Sequence, residues 1–445
     1  MTGFSQSDGI RSWGGVIKAT HHVASPAWRD ALPALVVSGR SEGHSLLAAG
    51  LRRSYGDSGL NPAGGLIDMT GLDRLIQLDT DSRLLRAEAG VSFDAILRTI
   101  VRRGFFLPVT PGTRFVTLGG AIANDVHGKN HHVRGTLGNW VRRIGLLRSD
   151  GTELELTPDD PSGLFQATIG GLGLTGVITW AEIELIPISS AIIAAENIPF
   201  GDLDEFFTLA EESERDFEYT VSWIDCLSDR DRLGRGIFTR GNHAPSGSIL
   251  PDRGNTRLTM PVSLPGFAMN RYSISAFNAL YFWNGKRKSG PARMGLYPFF
   301  YPLDAIGRWN RMYGRKGMYQ YQSVIPPGAQ KDATRDMLKA ISASGQGSFL
   351  AVLKTFGTVP SPGLLSFPTA GTTLALDFPN HGDTTLELMA RLDSIVKEAG
   401  GRLYPAKDGR MSARMFQDGY PAWQEFAKYV DAGFNSHFWD RVVRD

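Results

Sequence analysis

Cysteine is almost absent: the 445 residues contain one, Cys226. A single thiol forms no internal disulfide, which excludes a disulfide-stapled scaffold and points to a reducing compartment. No apolar run approaches the ~20 residues that a membrane-spanning helix needs. The opening MTGFSQSDGIRSWGG carries no apolar signal-peptide core. Charge of one sign is also lacking: 47 Lys and Arg stand against 45 Asp and Glu, a net +2, so no nucleic-acid-binding field is expected. Neither a G-x-S-x-G nucleophile elbow nor a G-x-x-x-x-G-K-[ST] phosphate loop occurs, and the hydrolase and nucleoside-triphosphatase readings lose their usual anchors. There is no internal repeat and no low-complexity tract. The expectation is a cytoplasmic protein, with a peripheral contact at the inner membrane left open.

What is present is glycine, 52 residues of it, in a chain that is 42% apolar and long enough for two domains. Residues 108–140, PVTPGTRFVTLGGAIANDVHGKNHHVRGTLGNW, concentrate six glycines and three histidines with one carboxylate. Glycine lets a backbone approach a ligand closely, and bare successive amides form a nest for an anion such as a pyrophosphate. A second glycine-bearing element, Gly50-Leu51-Arg52-Arg53-Ser54-Tyr55-Gly56-Asp57, precedes it. Two such loops point to a nucleotide cofactor. The pattern G-x-G-x-x-G occurs at Gly171–Gly176, but a helix is expected before it and a strand after it. That is the reverse of a Rossmann site, so the expectation is a glycine turn feeding a strand, one that can still pass close to a cofactor.

Periodicity gives the elements. Strands are expected at Leu35–Val37, 45–49, 66–69, 84–89 and 177–186, with a hairpin over 141–156 turning at Ser149-Asp150-Gly151. Ser92 is the expected N-cap of a helix to Val101, with Phe93, Ile96, Leu97 and Ile100 on one face. A short helix is expected at 164–169. Past Pro187 the texture changes. Residues 242–295 show little periodicity and are expected to form a long loop. Strands at 323–325 and 349–353 and helices at 334–342 and 385–399 follow, then a strand, loop and helix to the end.

Each candidate site residue has a plainer reading beside it. His127, His131 and His132 offer metal-ligand atoms, but Gly128 and Asn130 weaken any helix that would align them, and Asp125 is the one carboxylate nearby. Lys407, in Tyr404-Pro405-Ala406-Lys407-Asp408, is on its own a solvated lysine. Gln320 and Gln322 share one strand face, toward solvent or a sugar. Lys354 and Phe356 share another. Asp377 in an apolar run is either an edge residue or a buried, paired one.

Several motifs together resemble the flavin oxidoreductases of the vanillyl-alcohol oxidase type. They are Arg53-Ser54-Tyr55-Gly56-Asp57; Pro111-Gly112-Thr113-Arg114 with Thr117-Leu118-Gly119-Gly120-Ala121-Ile122-Ala123; His127-Gly128-Lys129-Asn130-His131-His132; Tyr321-Gln322 before Ile325-Pro326; Leu376-Asp377-Phe378-Pro379; and Ala406-Lys407-Asp408. The resemblance implies an α+β, two-domain fold. A discontinuous FAD domain would span 1–187 and return over 402–445, and a substrate domain built on an antiparallel sheet would span 188–401. It implies that FAD meets the 50–58 loop (Gly50, Leu51, Arg52, Arg53, Ser54, Tyr55, Gly56, Asp57, Ser58), then Gly112, Thr117, Leu118, Gly119, Gly120, Asn124, Asp125, Val126, His127, Ile178 and Tyr404. The pyrophosphate would rest on the 50–58 and 117–120 amides.

Members of the family often tether flavin through a histidine in the first loop. Tyr55 takes that place here, which implies noncovalent FAD. Lys407, Tyr55 and His127 are the implied catalytic residues, with Gln322, Lys354, Phe356, Thr373, Ala375 and Asp377 toward substrate. The implied reaction is oxidation of a secondary sugar hydroxyl, the 2'-hydroxyl of a polyprenyl-phosphate-linked ribose, as the first half of an epimerisation to arabinose with a short-chain dehydrogenase/reductase partner. Lys129 and the arginines of 229–240 are candidates to meet its phosphate, with a solvated face the favoured reading for the latter. Free sugar alcohols or aldonolactones are the alternative substrates within the family, and a metal-dependent enzyme is the alternative outside it. Ala375 and Thr373 stand where the family commonly has cysteine and asparagine, so thiol-directed inhibitors are not expected to attach.

Overall fold

The computed structural model describes residues 3–251, 256 and 258–443. Three sheets carry the fold. The first has the order Ser5–Arg11, Lys18–Ala24, Gly65–Asp68, Leu46–Ala49; the first two strands form an antiparallel hairpin and the other two pairings are parallel. The second is antiparallel: Leu75–Asp79, Leu84–Glu88, Val177–Glu184, Val141–Leu147, Glu153–Leu156. The third is an antiparallel sheet of eight strands, in the order Gly290–Gly295, Ile192–Phe200, Gly236–His243, Tyr219–Ile224, Ala351–Phe356, Gly371–Pro379, Met318–Ile325, Arg402–Leu403.

The first two sheets share an apolar core in which Phe93, Ile96, Leu97 and Ile100 of the helix Phe93–Ile100 are fully buried. Ser92 Oγ accepts the Ala95 amide at 3.2 Å and caps that helix. Helices Gln330–Ser344 and Asp383–Glu398 pack with the third sheet through Met337, Leu338, Ile341, Leu388 and Leu392. The C-terminal helices Ala413–Gly419 and His437–Val443 join this second core through Phe416, Phe438 and Trp439. The chain also ties back to the first sheet, where the Leu46 amide donates to Gly433 O at 2.8 Å.

Two expectations are corrected. Leu35-Val36-Val37 is not a strand but part of the helix Leu32–Ser41. Leu32, Leu35, Val36 and Gly39 are buried at helical spacing and Pro33 sits in the first turn, a start signal that the β-branched pair obscured. The stretch 242–295 is not one long loop. It contains the helix Arg271–Arg287, begun by an Asn270 capping box, and the edge strand Gly290–Gly295. Residues 252–255 and 257 of that stretch lie outside the described residues.

Candidate active site

A cavity of about 750 Å³ lies between the glycine loops and the eight-stranded sheet, within the size usual for cofactor and substrate sites. One wall is the loop that leaves the strand Leu46–Ala49. Among the described residues, the amides of Leu51, Arg52, Arg53 and Ser54 have no acceptor within the protein, and all four residues line the cavity. Arg52 holds a left-handed φ of +50°, uncommon for a side-chain-bearing residue and suited to turning successive amides toward an anion. Arg53 is pinned behind them, its guanidinium 3.9 Å from the Trp13 ring centroid and its Nε donating to Phe115 O at 3.1 Å.

The second glycine loop packs against the first. A Cβ on Gly50 would lie 2.0 Å from Thr117 Oγ1, so only glycine permits this approach. Thr117 caps the short helix Leu118–Ala123. The amides of Leu118, Gly119 and Gly120 are already taken by Val91 O, Ala89 O and Thr117 Oγ1. Those three are therefore not free for a pyrophosphate, whereas the 51–54 amides are.

The far wall is the sheet. Cross-strand register aligns Ile237, Trp223, Val352, Ala375 and Gln322 on successive strands, and all five line the cavity. The alternation of strand side chains then sets Gln320, Lys354, Thr373 and Asp377 on the same face. His127 is gripped from two strands: its Nε2 lies 3.1 Å from Gln322 Nε2, and its Nδ1 lies 3.0 Å from Lys354 Nζ. Lys354 also donates to Gly128 O at 3.1 Å. A neutral imidazole accepts at one nitrogen and donates at the other. With an ammonium at Nδ1, Nε2 carries the hydrogen, and the Gln322 amide must turn its oxygen to meet it.

Lys407 is not a solvated lysine. It is half-buried in the cavity wall, with Nζ 4.2 Å from the Tyr55 ring centroid. Two contacts position it: the Tyr55 amide donates to Ala406 O at 2.9 Å, and Gly56 lies so close that a Cβ would meet Asp408 O at 1.5 Å. Tyr404 OH donates to Asn124 O at 3.0 Å, joining the same turn to the glycine-rich stretch.

Burial sets the charges here. It pushes Lys354 down to about 7, helped by the neighbouring charges of Lys129 and Lys407. Lys129 likewise falls to about 7 through burial, with its Nζ on Phe299 O. Burial pushes Lys407 down and Asp377 up, and the attraction between the two opposes both shifts. Asp377 accepts from Gln320 Nε2 at 2.6 Å, so it is a buried, hydrogen-bonded carboxylate rather than an edge residue. Burial holds His127 well below the usual imidazole range, with Lys354 adding to it, so the ring is neutral.

Not every expected residue reaches the cavity surface. Gly56, Asp57, Leu118 and Asp125 near the glycine loops, and Phe356, Thr373 and Asp377 on the cavity-facing side of the sheet, do not line the cavity. Asp57 is fully buried and paired with Arg441 at 2.8 Å, which ties the loop to the last helix. Asp125 receives the Gly138 amide at 2.8 Å and Ser366 Oγ at 2.5 Å. Leu118 belongs to the core, and Thr373 Oγ1 lies 3.2 Å from the Gln322 amide atom that meets His127. Phe356 supports the rings of His127 and His131, at centroid distances of 4.8 and 4.5 Å.

The three histidines do not converge. His127 faces the cavity, His132 Nε2 lies 2.8 Å from Phe217 O, and His131 packs on Phe356. Among the described residues no group of three His, Cys, Asp or Glu is arranged to hold a metal. The arginines of 229–240 are spent elsewhere: Arg235 pairs with Asp225 and Arg240 with Glu196, while Arg230 and Arg232 are exposed.

Sequence reasoning missed Trp13, Trp223, Tyr281 and Trp309 in the wall. For Trp223 the period-2 alternation of the strand Tyr219–Ile224 was the available signal; Trp13 comes from a turn, Tyr281 from the overlooked helix and Trp309 from the short 3-10 helix Trp309–Tyr313. The turn at 171–176 does approach the cavity, through Leu172, Gly173 and Gly176.

The residues fit a flavin dinucleotide. Unpartnered loop amides suit its pyrophosphate, and the buried Asn124 Oδ1 and Ser58 Oγ, both without a protein partner, suit its polar edges. Gly112 has open space where a Cβ would stand, and Ile178 and Val126 supply apolar wall. Fold and site together define an FAD-dependent oxidoreductase.

Residues 20–157 match the family described as "FAD binding domain". The chain is 38% identical over 433 residues to decaprenylphosphoryl-β-D-ribose oxidase of Mycolicibacterium smegmatis, covering 94% of this chain and 93% of that one. It is 30% identical over 355 residues to an uncharacterized protein of Streptomyces coelicolor, covering 76% and 94%. Mouse L-gulonolactone oxidase is 29% identical over 126 residues, 28% of each chain. The chain belongs to the decaprenylphosphoryl-β-D-ribose oxidase family.

Proposed function

We propose that this oxidoreductase binds FAD noncovalently and oxidises the 2'-hydroxyl of a polyprenyl-phosphate-linked ribose, as the first half of an epimerisation to arabinose. A short-chain dehydrogenase/reductase partner completes it at the inner face of the membrane. Its architecture is read as the vanillyl-alcohol oxidase type, with an FAD unit of 1–187 and 402–445 and a substrate unit of 188–401. The observation that carries the reading is the redox end of the cavity, where Lys129, Lys354 and Lys407 meet Gln322, His127 and Tyr55 on one enclosed wall. Cations partly withdrawn from water suit a phosphate-bearing substrate, and side-chain amides suit a sugar's hydroxyls. A relative similar over 94% of this chain is a decaprenylphosphoryl-β-D-ribose oxidase by name, whereas the lactone oxidase shares 28% of the chain.

Bound FAD supplies the hydride acceptor. The 51–54 amides hold its pyrophosphate, and Asn124, Ile178 and Tyr404 hold the remainder. Lys407 orients the substrate hydroxyl and balances the negative charge that gathers during transfer, as preorganised electrostatics require. Lys129 and Lys354 meet the phosphate. Gln322, held by Thr373 and His127, presents its amide to the sugar.

The test is anaerobic bleaching of the flavin absorbance. Polyprenylphosphoryl ribose is expected to bleach it, while free ribose and aldonolactones leave it unchanged. Bleaching by the free sugars with equal efficiency would overturn the lipid-phosphate reading.

A further inference from the structure

We propose that the helix Arg271–Arg287 and the strand Leu258–Thr259 form a docking face for an anionic lipid surface, placed around the mouth of the cavity. The proposal rests on the lipid-linked substrate reading above. The helix has two working faces. Tyr281, Asn284 and Gly285, with Lys288 just past its end, line the cavity. This inner face is anchored: Asn278 Nδ2 donates to Asp225 Oδ1 at 2.9 Å, and Tyr281 packs on Trp223 at 4.5 Å.

The opposite stripe recurs at 272, 276, 279, 280, 283 and 287, the spacing of one helical side. It points to water. Tyr272 is 84% exposed, Leu280 63% and Trp283 54%. The strand Leu258–Thr259 pairs with Ile306–Gly307, both of which also line the cavity, and there Leu258 and Val262 are 71% and 65% exposed. Exposed apolar surface gathered on two elements that adjoin one cavity marks an interaction site rather than ordinary scatter. Trp and Tyr on an exposed stripe suit the headgroup level of a bilayer.

Charge selects the occupant. Between Asp252 and Asp304 the sequence has no carboxylate and seven Lys and Arg, while the rest of the chain is net acidic. Lys286 and Arg287 continue the exposed stripe, and Arg287 stacks on Trp283 at 4.7 Å. Apolar side chains rimmed by cations without anions match an anionic leaflet. Docked in this way, the mouth opens at the surface where a lipid-linked headgroup resides.

The experiment is co-sedimentation of the full FAD-bound chain with vesicles. Phosphatidylcholine vesicles containing phosphatidylglycerol are expected to pull the protein down at least about 10-fold better than phosphatidylcholine alone, with the difference lost in high salt. The double variant Leu280→Glu/Trp283→Glu, and separately Lys286→Glu/Arg287→Glu, are expected to lose this binding while keeping FAD content and turnover of detergent-dispersed substrate. Wild type remaining in the supernatant with anionic vesicles, or both variants sedimenting as well as wild type, would overturn the proposal. So would a lipid-free dimer that Leu280→Glu/Trp283→Glu converts to monomer, since a second copy would then cover the face. The vesicles carry no sugar, so failure here leaves the substrate reading standing, and failed turnover leaves the sedimentation result intact.

Discussion

Lys407 and Lys354 sit in one wall with different neighbours, and the neighbours assign them different work. Lys407 lies over Tyr55 and feels the Asp377 carboxylate, which favours its charged form against burial. Truncation to alanine is expected to slow flavin reduction by about 10²–10³ while leaving FAD bound, read by rapid-mixing absorbance. Lys354 has no such carboxylate; burial and two other lysines bring it to about 7. In the free enzyme its ammonium is present below that value and lost as pH rises through it, and with it goes attraction for a phosphate. The efficiency kcat/KM on the phosphorylated substrate should therefore be level below about pH 7 and fall above it. Lys354→Met should raise KM and make that limb shallower, with Lys129, also near 7, carrying what remains; a limb unchanged in the variant would assign it to another group.

At the scale of elements, the 50–58 loop is held from both sides by contacts that no ligand supplies. Gly50 gives room for Thr117, and Asp57 pairs with Arg441 of the final helix. Gly50→Ala should push the two glycine loops apart and reduce FAD retention on gel filtration, whereas Gly112→Ala, with open space at its Cβ position, should leave the apoprotein's melting temperature unchanged. Asp57→Asn removes a charged hydrogen-bond acceptor from a fully buried site. It should cost about 2–3 kcal/mol, seen as a melting temperature lower by several degrees.

Legibility in the sequence followed local signals. Ser92 as a cap and Ser149-Asp150-Gly151 as a hairpin turn act within a few residues of themselves, and both are where they were expected. Arg271–Arg287 was not legible, because one of its sides serves the cavity and the other is apolar toward solvent, so no single polar face marks a 3.6-residue period.

Across the whole molecule, the cavity joins segments from residue 13 to residue 407. Acid precipitation should release the flavin into the supernatant, as a noncovalent FAD requires; colour retained in the pellet would mean a covalent tether and would remove the reading of Tyr55. Among the described residues no helix is long and apolar enough to cross a membrane, and attachment to a lipid surface is assigned instead to the rim of the mouth.

The amino-acid sequence by itself determined the glycine loops, the period-2 strands and the motifs that mark the family, because each depends on backbone freedom or on side chains a few positions apart. It placed Gln322, Lys354 and Ala375 on strands but not beside one another. Only the tertiary structure decided that the cross-strand register sets them on one wall with His127, and that the Leu118–Gly120 amides are already spent. It alone gathered three half-buried lysines around one cavity. Register, burial and the loss of solvent around a charge are properties of segments hundreds of residues apart, and they exist only once the sheets have closed over one another.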